Sequence, residues 1–203
     1  EELVREAFWN QYLPGCEEHY LVHTIRHHPD FLPELSFVAT VDEEIVGYIM
    51  YTRSCVREPS GATRPTITFG PVCVHPANQA QGIGSTLIRH SLEMARRMGH
   101  QAVIILGDPH HYCKQGFRNS ADFGISNADG KYPAGQLLLE LEPGFFHGIT
   151  GSFFYSDAFQ LDPEKVAEFD RSFPIKEKKW QPSQEIYSIL SRAYLEFENL
   201  KMA

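Results

Sequence analysis

Apolar residues at positions 3, 4, 7 and 8 recur at the spacing of one helix face, so residues 1–10 predict a helix with Leu3, Val4, Ala7 and Phe8 turned inward. Pro14-Gly15 breaks that pattern. Residues 17–28 predict a second helix with Leu21, Val22 and Ile25 inward, ended by Pro29 and Pro33. The period then changes. Ser36–Val41 and Ile45–Tyr51 are β-rich runs joined by Asp42-Glu43-Glu44, a hairpin signal. After a loop over 57–65, a third strand runs from Thr66 to about His75. Gly70-Pro71 lies inside it. Proline cannot donate to a sheet ladder, and glycine in a strand marks a bulge or a close approach, so this strand is expected to bend or bulge over Gly70–Val72.

Thr86–Met98 reads as an amphipathic helix with Leu87, Ile88, Leu92, Ala95 and Met98 on one face. Arg96 and Arg97 suit its negative end, and Gly99 suits the residue after it. Ala102–Leu106 reads as a buried strand. Asp108-Pro109 then opens a short helix by cap and first-turn chemistry, and Gly116-Phe117 closes it. Residues 117–125, 136–142 and 149–155 predict further strands. Pro163–Phe169 and Ser183–Leu200 predict helices, the second with a stripe of Ile186, Ile189, Leu190, Ala193, Tyr194 and Phe197. This order predicts an α/β chain around a mixed sheet. The stripe must be buried, either on the core or against a second subunit.

At 203 residues the chain is long enough to bury roughly 70% of its unfolded surface without staples. Its 18 Lys+Arg against 26 Asp+Glu, a formal charge of −8, exclude a nucleic-acid binder, since phosphate contacts need clustered cations. The one basic cluster, Lys176, Lys178 and Lys179, is interrupted by Glu177 and reads as a solvated segment. Cys16, Cys55, Cys73 and Cys113 are widely spaced, which suits reduced thiols in a cytoplasmic protein rather than a zinc site or a disulfide framework. No metal site is expected. No apolar run reaches the ~18 residues of a membrane span, and no signal peptide is visible. The chain opens in what reads as mid-helix, so the natural start is expected upstream.

The most informative stretch is His75-Pro76-Ala77-Asn78-Gln79-Ala80-Gln81-Gly82-Ile83-Gly84-Ser85, which leads from a strand into a helix. Helix N-termini carry unpaired N–H groups and partial positive charge. Two glycines clear side chains away, so a phosphate can lie on the amides of about Gln81 to Ser85. Such a cradle needs little basic charge, which suits an acidic chain. The plainer reading is a glycine-rich corner. A P-loop would need a lysine, absent between Gly84 and Ser85, and a Rossmann fingerprint would need glycine where Leu87 stands.

A set of ordered motifs carries a resemblance. Gly70-Pro71-Val72-Cys73-Val74-His75-Pro76 is followed by Gln79-Ala80-Gln81-Gly82-Ile83-Gly84. Leu106-Gly107-Asp108-Pro109 follows, with Tyr112 and Gly116-Phe117. Upstream stand Pro33-Glu34-Leu35-Ser36-Phe37-Val38-Ala39 and Ile45-Val46-Gly47. Over about residues 1–155 the chain resembles the GNAT superfamily of N-acetyltransferases, and within it the YhbS-like branch. The superfamily's first strand would precede Glu1. The resemblance implies a mixed, mostly antiparallel central sheet flanked by helices over 1–155, with a helical C-terminal extension over 156–203.

It also implies acetyl-CoA as cosubstrate and a small-molecule or peptide amine as acceptor. Val72, Cys73 and Val74 would offer backbone groups to the pantetheine arm. Gln79, Ala80, Gln81, Gly82, Ile83, Gly84 and Ser85 would hold the pyrophosphate. Tyr112 takes the position of the general acid that protonates the departing thiolate. The general base is unassigned. Asp108 reads as a helix cap, His110 and His111 as exposed, His75 as part of a turn, and Glu17 and Glu18 as surface residues. His19, His23 and His27 recur every four residues and read as a solvated helix face. Cys113 reads as a small packed residue. The rival function is a non-catalytic acyl-CoA-binding module of the same fold.

Overall fold

The computed structural model describes residues 1–196. Its helices are α1 (Glu2–Phe8), α2 (Glu18–Ile25), α3 (Ile83–Arg97), α4 (Pro109–Tyr112), α5 (Pro163–Asp170) and α6 (Pro182–Arg192). Its strands are β1 (Phe37–Val41), β2 (Glu44–Arg57), β3 (Thr63–Val74), β4 (Ala102–Leu106), β5 (Arg118–Asn119), β6 (Ile125–Ser126), β7 (Tyr132–Pro133), β8 (Gln136–Glu140), β9 (Gly151–Phe154) and β10 (Tyr194–Leu195). The main sheet runs β5-β8-β4-β3-β2-β9-β6, with β1 paired to β2. Pairs β1–β2, β2–β9, β4–β8 and β5–β8 are antiparallel, whereas β3–β4 and β6–β9 are parallel. This is the mixed, mostly antiparallel sheet with helices that the sequence predicts.

The hairpin forms because Asp42 and Glu43 adopt φ of 50° and 66°, the two-residue geometry that matches strand twist. Residues Val46–Thr52 of β2 are buried without a break, which explains their continuous apolar run. The Gly99 cap is in place: it has φ 83°, and the His100 N–H donates to the Ala95 carbonyl.

Packing divides the chain into two units, neither a continuous segment. The first is Glu1–Thr52, Gly70–Ser91 and Ser156–Ser188. Its core joins Val4, Val22 and Ile25 to Tyr48 and Met50 of β2, Cys73 of β3 and Ala158. On the other face of β2, Gly47 lets α3 come close: a Cβ there would stand 2.9 Å from the Leu87 side chain. The second unit is Arg53–Phe69, Leu92–Tyr155 and the residues from Ile189 on. Its core holds Val56, Ala102, Ile104, Ile125, Leu138, Phe146 and Phe153.

Three expectations are corrected, and the stripe of the last helix is found uncovered in the single chain. Residues 117–125 are not one strand, because the Asn119 side chain accepts from the Ala121 N–H and starts a 3₁₀ turn over Ser120–Phe123. The last helix stops at Arg192, and Tyr194–Leu195 pairs with Tyr132–Pro133 instead. Its stripe is not buried within the chain: Ile186 and Ile189 are 61% and 58% exposed, and α6 turns Gln184 inward to Asn10 and Lys179 carbonyls. Phe197 and Leu200 lie outside the described residues. Met98 is exposed, unlike the rest of its face.

His19 is fully buried rather than solvated. Its ring packs on Phe169 and Phe173, and Nε2 lies 3.2 Å from Asp170 Oδ1. Arg5, also buried, donates Nε to that same oxygen at 2.7 Å. The 156–188 segment thus covers a helix face that α2 alone would leave wet. His23 is half-buried beside Glu1 at 3.0 Å, and His27 is exposed.

Candidate active site

In the first unit, β3 ends at Val74 and a 3₁₀ turn over Pro76–Asn78 follows. The His75 imidazole caps this turn, accepting from the Ala77 N–H, and the His75 N–H donates to the Val46 carbonyl at 2.7 Å. His75 is therefore a turn-former, as its sequence context indicates. The Gln79 amide folds back and donates to the Val74 carbonyl at 3.1 Å. Ala80 (φ 59°) and Gly82 (φ 84°) both take the left-handed conformation, so the chain reverses and enters α3 at Ile83. Only glycine does this without cost, which explains Gly82.

The first intrahelical bond runs from the Thr86 N–H to the Gly82 carbonyl at 3.0 Å. The N–H groups of Ile83, Gly84 and Ser85 therefore have no helical partner. No acidic residue occupies this first turn, while Arg96 and Arg97 hold the far end. The positive end of the helix is left for an outside anion. Gly84 is helical, and a Cβ there would make only ordinary contact with Val74 at 3.5 Å. Neither φ nor packing requires glycine at 84, although glycine weakens a helix. A bare surface over these amides is what its presence secures, and that fits a pyrophosphate.

Strand β3 alternates upstream of this turn. Cys73 is buried in the first unit's core, while Val72 and Val74 are half-buried. Burial pushes the Cys73 thiol up to about 12, so it is no thiolate. The irregularity expected here is a Gly70 at φ 156°. All the residues assigned to the cradle and the arm, Val72–Val74 and Gln79–Ser85, belong to this unit.

Tyr112 belongs to the second unit, at the end of α4. Asp108 caps that helix, accepting from the His110 N–H at 2.9 Å, with Pro109 in its first turn. Tyr112 is half-buried, its ring set against Phe69 and Phe117. A Cβ on Gly107 would overlap that ring, so the strand end at Gly107 is shaped to receive it. His110, His111 and Cys113 are exposed; Cys113 is therefore not the packed residue expected. All four cysteines are free.

One residue read as surface has a different setting. Glu18, at the start of α2, is half-buried, and its carboxylate accepts from the Glu17 N–H at 3.0 Å. Burial pushes its carboxyl up to about 7. Nothing in the local sequence signals this. His28, Asp30 and Asp157 bring ligand-type atoms within 4.8 Å of one another, and they are engaged with each other: His28 Nε2 lies 2.8 Å from Asp157 Oδ1. No helix among the described residues is long and apolar enough to cross a membrane.

A model of the acetyltransferase (GNAT) family matches residues 2–117. The uncharacterised N-acetyltransferase YjhQ of Escherichia coli K12 is 34% identical over 102 residues, and the matched part spans 50% of this chain and 52% of YjhQ, about half its length. The uncharacterised N-acetyltransferase YhbS of the same strain is 27% identical over 163 residues, 78% of this chain and 90% of YhbS. The crystal structure of YhbS in complex with CoA superposes with a TM-score of 0.67 at 25% identity, covering 79% of this chain and 84% of that one. A GNAT acetyltransferase from Brucella melitensis in complex with acetyl-CoA gives 0.60 at 27% identity, over 78% and 88%. The family model spans more than half of the chain, and the fold agrees with it: this protein belongs to the GNAT family of acetyltransferases.

Proposed function

We propose that the chain is an acetyl-CoA-dependent N-acetyltransferase that moves the acetyl group directly to a primary amine of a small-molecule or peptide acceptor. The observation that carries this reading is the helix N-terminus at Gly82–Ser85, with glycine at 82 and 84 and no acidic residue in its first turn, reached by a short turn from the end of β3. The CoA and acetyl-CoA complexes of the two related structures support it.

In this reading the amides of Gln81 to Ser85 hold the pyrophosphate, and Val72 to Val74 offer backbone groups to the arm. The acceptor must be a neutral amine to attack, although a free amine has a pKa of ~10. The amine nitrogen forms the new C–N bond as the C–S bond breaks, and the nitrogen gives up a proton to water or a base. Tyr112 donates its phenolic proton to the departing sulfur. Localisation in the cytoplasm suits the free cysteines.

The test is calorimetry with acetyl-CoA, with NADPH as control, followed by an amine panel read by release of CoA thiol. Acetyl-CoA binding with acceptor-dependent thiol release is the expected result. Binding without release from any amine identifies the non-catalytic module instead, and no binding to folded protein overturns the reading.

A further inference from the structure

We propose that Leu106 and Leu190 form an apolar wall beside Tyr112 on which the acceptor lies, so that the amine acetylated carries an apolar chain or ring rather than further charges. The proposal rests on the acetyltransferase reading above, with Tyr112 as the acid. All the residues it uses belong to the second unit.

In that reading the departing sulfur stands at hydrogen-bond distance from the Tyr112 hydroxyl. The acceptor nitrogen attacks the carbon bonded to that sulfur from ~3–3.5 Å. The body of the acceptor therefore rests on what surrounds the Tyr112 ring. Two neighbours of the ring are closed off, since Phe69 and Phe117 are 5% and 1% exposed. A third is the strand end at Gly107, where the ring fills the place of the missing side chain. Leu106, the residue before it and the last of β4, is 48% exposed, although Ala102 to Ile105 are buried. An apolar side chain thus meets water one residue from the support of the acid.

A lone exposed leucine is ordinary on a surface. This one has company. A Cβ on Gly135 would stand 3.5 Å from Leu106 Cδ1 and 3.4 Å from Leu190 Cγ, so the two leucines meet across that glycine. The same carbon would come within 3.1 Å of the Gly107 carbonyl oxygen, closer than ordinary contact, so glycine at 135 lets the strand end and Leu190 draw together. Backbone bonds hold the arrangement. The Gly107 N–H donates to the Gly135 carbonyl at 2.9 Å, and the Ala134 N–H donates to the Ala193 carbonyl at 2.9 Å. The Asn119 amide donates to the carbonyls of Pro133 and Ala134 at 3.1 and 3.0 Å. The end of α6 is therefore fixed against the strand end, and what it brings to Leu106 is a second leucine. A methylene laid on this wall leaves water at a gain, whereas an ammonium group laid on it loses water without a partner.

The test measures release of CoA thiol by the full chain at saturating acetyl-CoA, for wild type, Leu106→Ser and Leu190→Ala. The acceptors are the alkylamines from propylamine to hexylamine, phenethylamine, spermidine and a lysine-rich peptide. Wild type is expected to show a KM that falls about two- to fourfold per added methylene along the alkylamines. Its kcat/KM for phenethylamine should exceed that for spermidine or the peptide by about tenfold or more. Leu106→Ser flattens the alkylamine series, raising KM for hexylamine far more than for propylamine, with acetyl-CoA affinity by calorimetry close to wild type. Leu190→Ala flattens it in part, and the exposed position 106 carries the test if Leu190→Ala does not fold. A flat series in wild type, a preference for spermidine or the peptide, or a series that neither variant flattens overturns the proposal while leaving the acetyltransferase reading intact. Release from no amine at all overturns that reading, and this proposal with it.

Discussion

The ring of Phe69 stands 5.8 Å from that of Tyr112, centroid to centroid, tilted by 50°. Phe117 completes the group, edge-on to Phe69 at 5.9 Å and to Tyr112 at 6.0 Å. Packing thus fixes the Tyr112 ring independently of its hydroxyl. Tyr112→Phe is expected to cut acceptor-dependent thiol release by about 10²-fold or more. Acetyl-CoA affinity and melting temperature should stay close to wild type. Unchanged release would remove Tyr112 from the acid role.

Gly84→Ala separates the cradle from the fold. Alanine is favoured over glycine in a helix by about 1 kcal/mol, and the new methyl meets Val74 at only 3.5 Å. The variant should therefore be as stable as wild type or more so in denaturant titration. Its acetyl-CoA affinity should nevertheless fall about tenfold, because the methyl stands over amides that would hold the pyrophosphate. Unchanged affinity would place the pyrophosphate elsewhere.

Asp170 holds a guanidinium that is only 3% exposed. Asp170→Ala strands the Arg5 charge, a change that costs about 3–5 kcal/mol in comparable buried pairs. Chemical denaturation should show a loss of that order, and a loss under 1 kcal/mol would mean that Arg5 finds water. Burial also pulls the His19 pKa below its ordinary value, so the unfolded chain takes up a proton more readily than the folded one. The His19 share of stability should accordingly fall as pH drops below about 6.5, seen as a stability difference between wild type and His19→Gln that moves in the variant's favour from pH 7.5 to pH 5.5.

Glu18 acts in the opposite sense. Its carboxyl is raised from 4.5 to about 7, so the folded protein holds that proton more tightly than the unfolded chain. The stability it permits is complete below about pH 4.5 and is lost as pH rises through 7. Glu18→Gln should therefore exceed wild type by about 1–3 kcal/mol at pH 8 and match it near pH 4.5. An equal difference at both pH values would show that burial does not hold the proton on Glu18.

The elements legible in the sequence are those specified by neighbours. The Asp42-Glu43 turn, the Asp108 cap, the Gly99 stop and the strand Ala102–Leu106 each depend on a handful of adjacent residues. The turn and helix start over Gln79 to Ser85 were legible for the same reason, since those residues are contiguous. His19 was not, because its burial depends on Phe169 and Phe173, about 150 positions away. The setting of Glu18 was hidden for a like reason.

The return of residues 156–188 to the N-terminal helices bears on how the protein can be cut. Asn10, 2% exposed, donates to the Glu177 carbonyl and accepts from the Lys179 N–H, and its own carbonyl takes the Gln184 amide. A fragment trimmed to the family-matched stretch, or ending at 155, would lose every one of these contacts along with Asp170. It would carry the whole cradle and Tyr112, yet expose a seam of orphaned polar groups along α1 and α2. What looks like a dispensable tail is the closing stitch of the first unit, and deleting it should yield aggregates rather than a smaller folded protein.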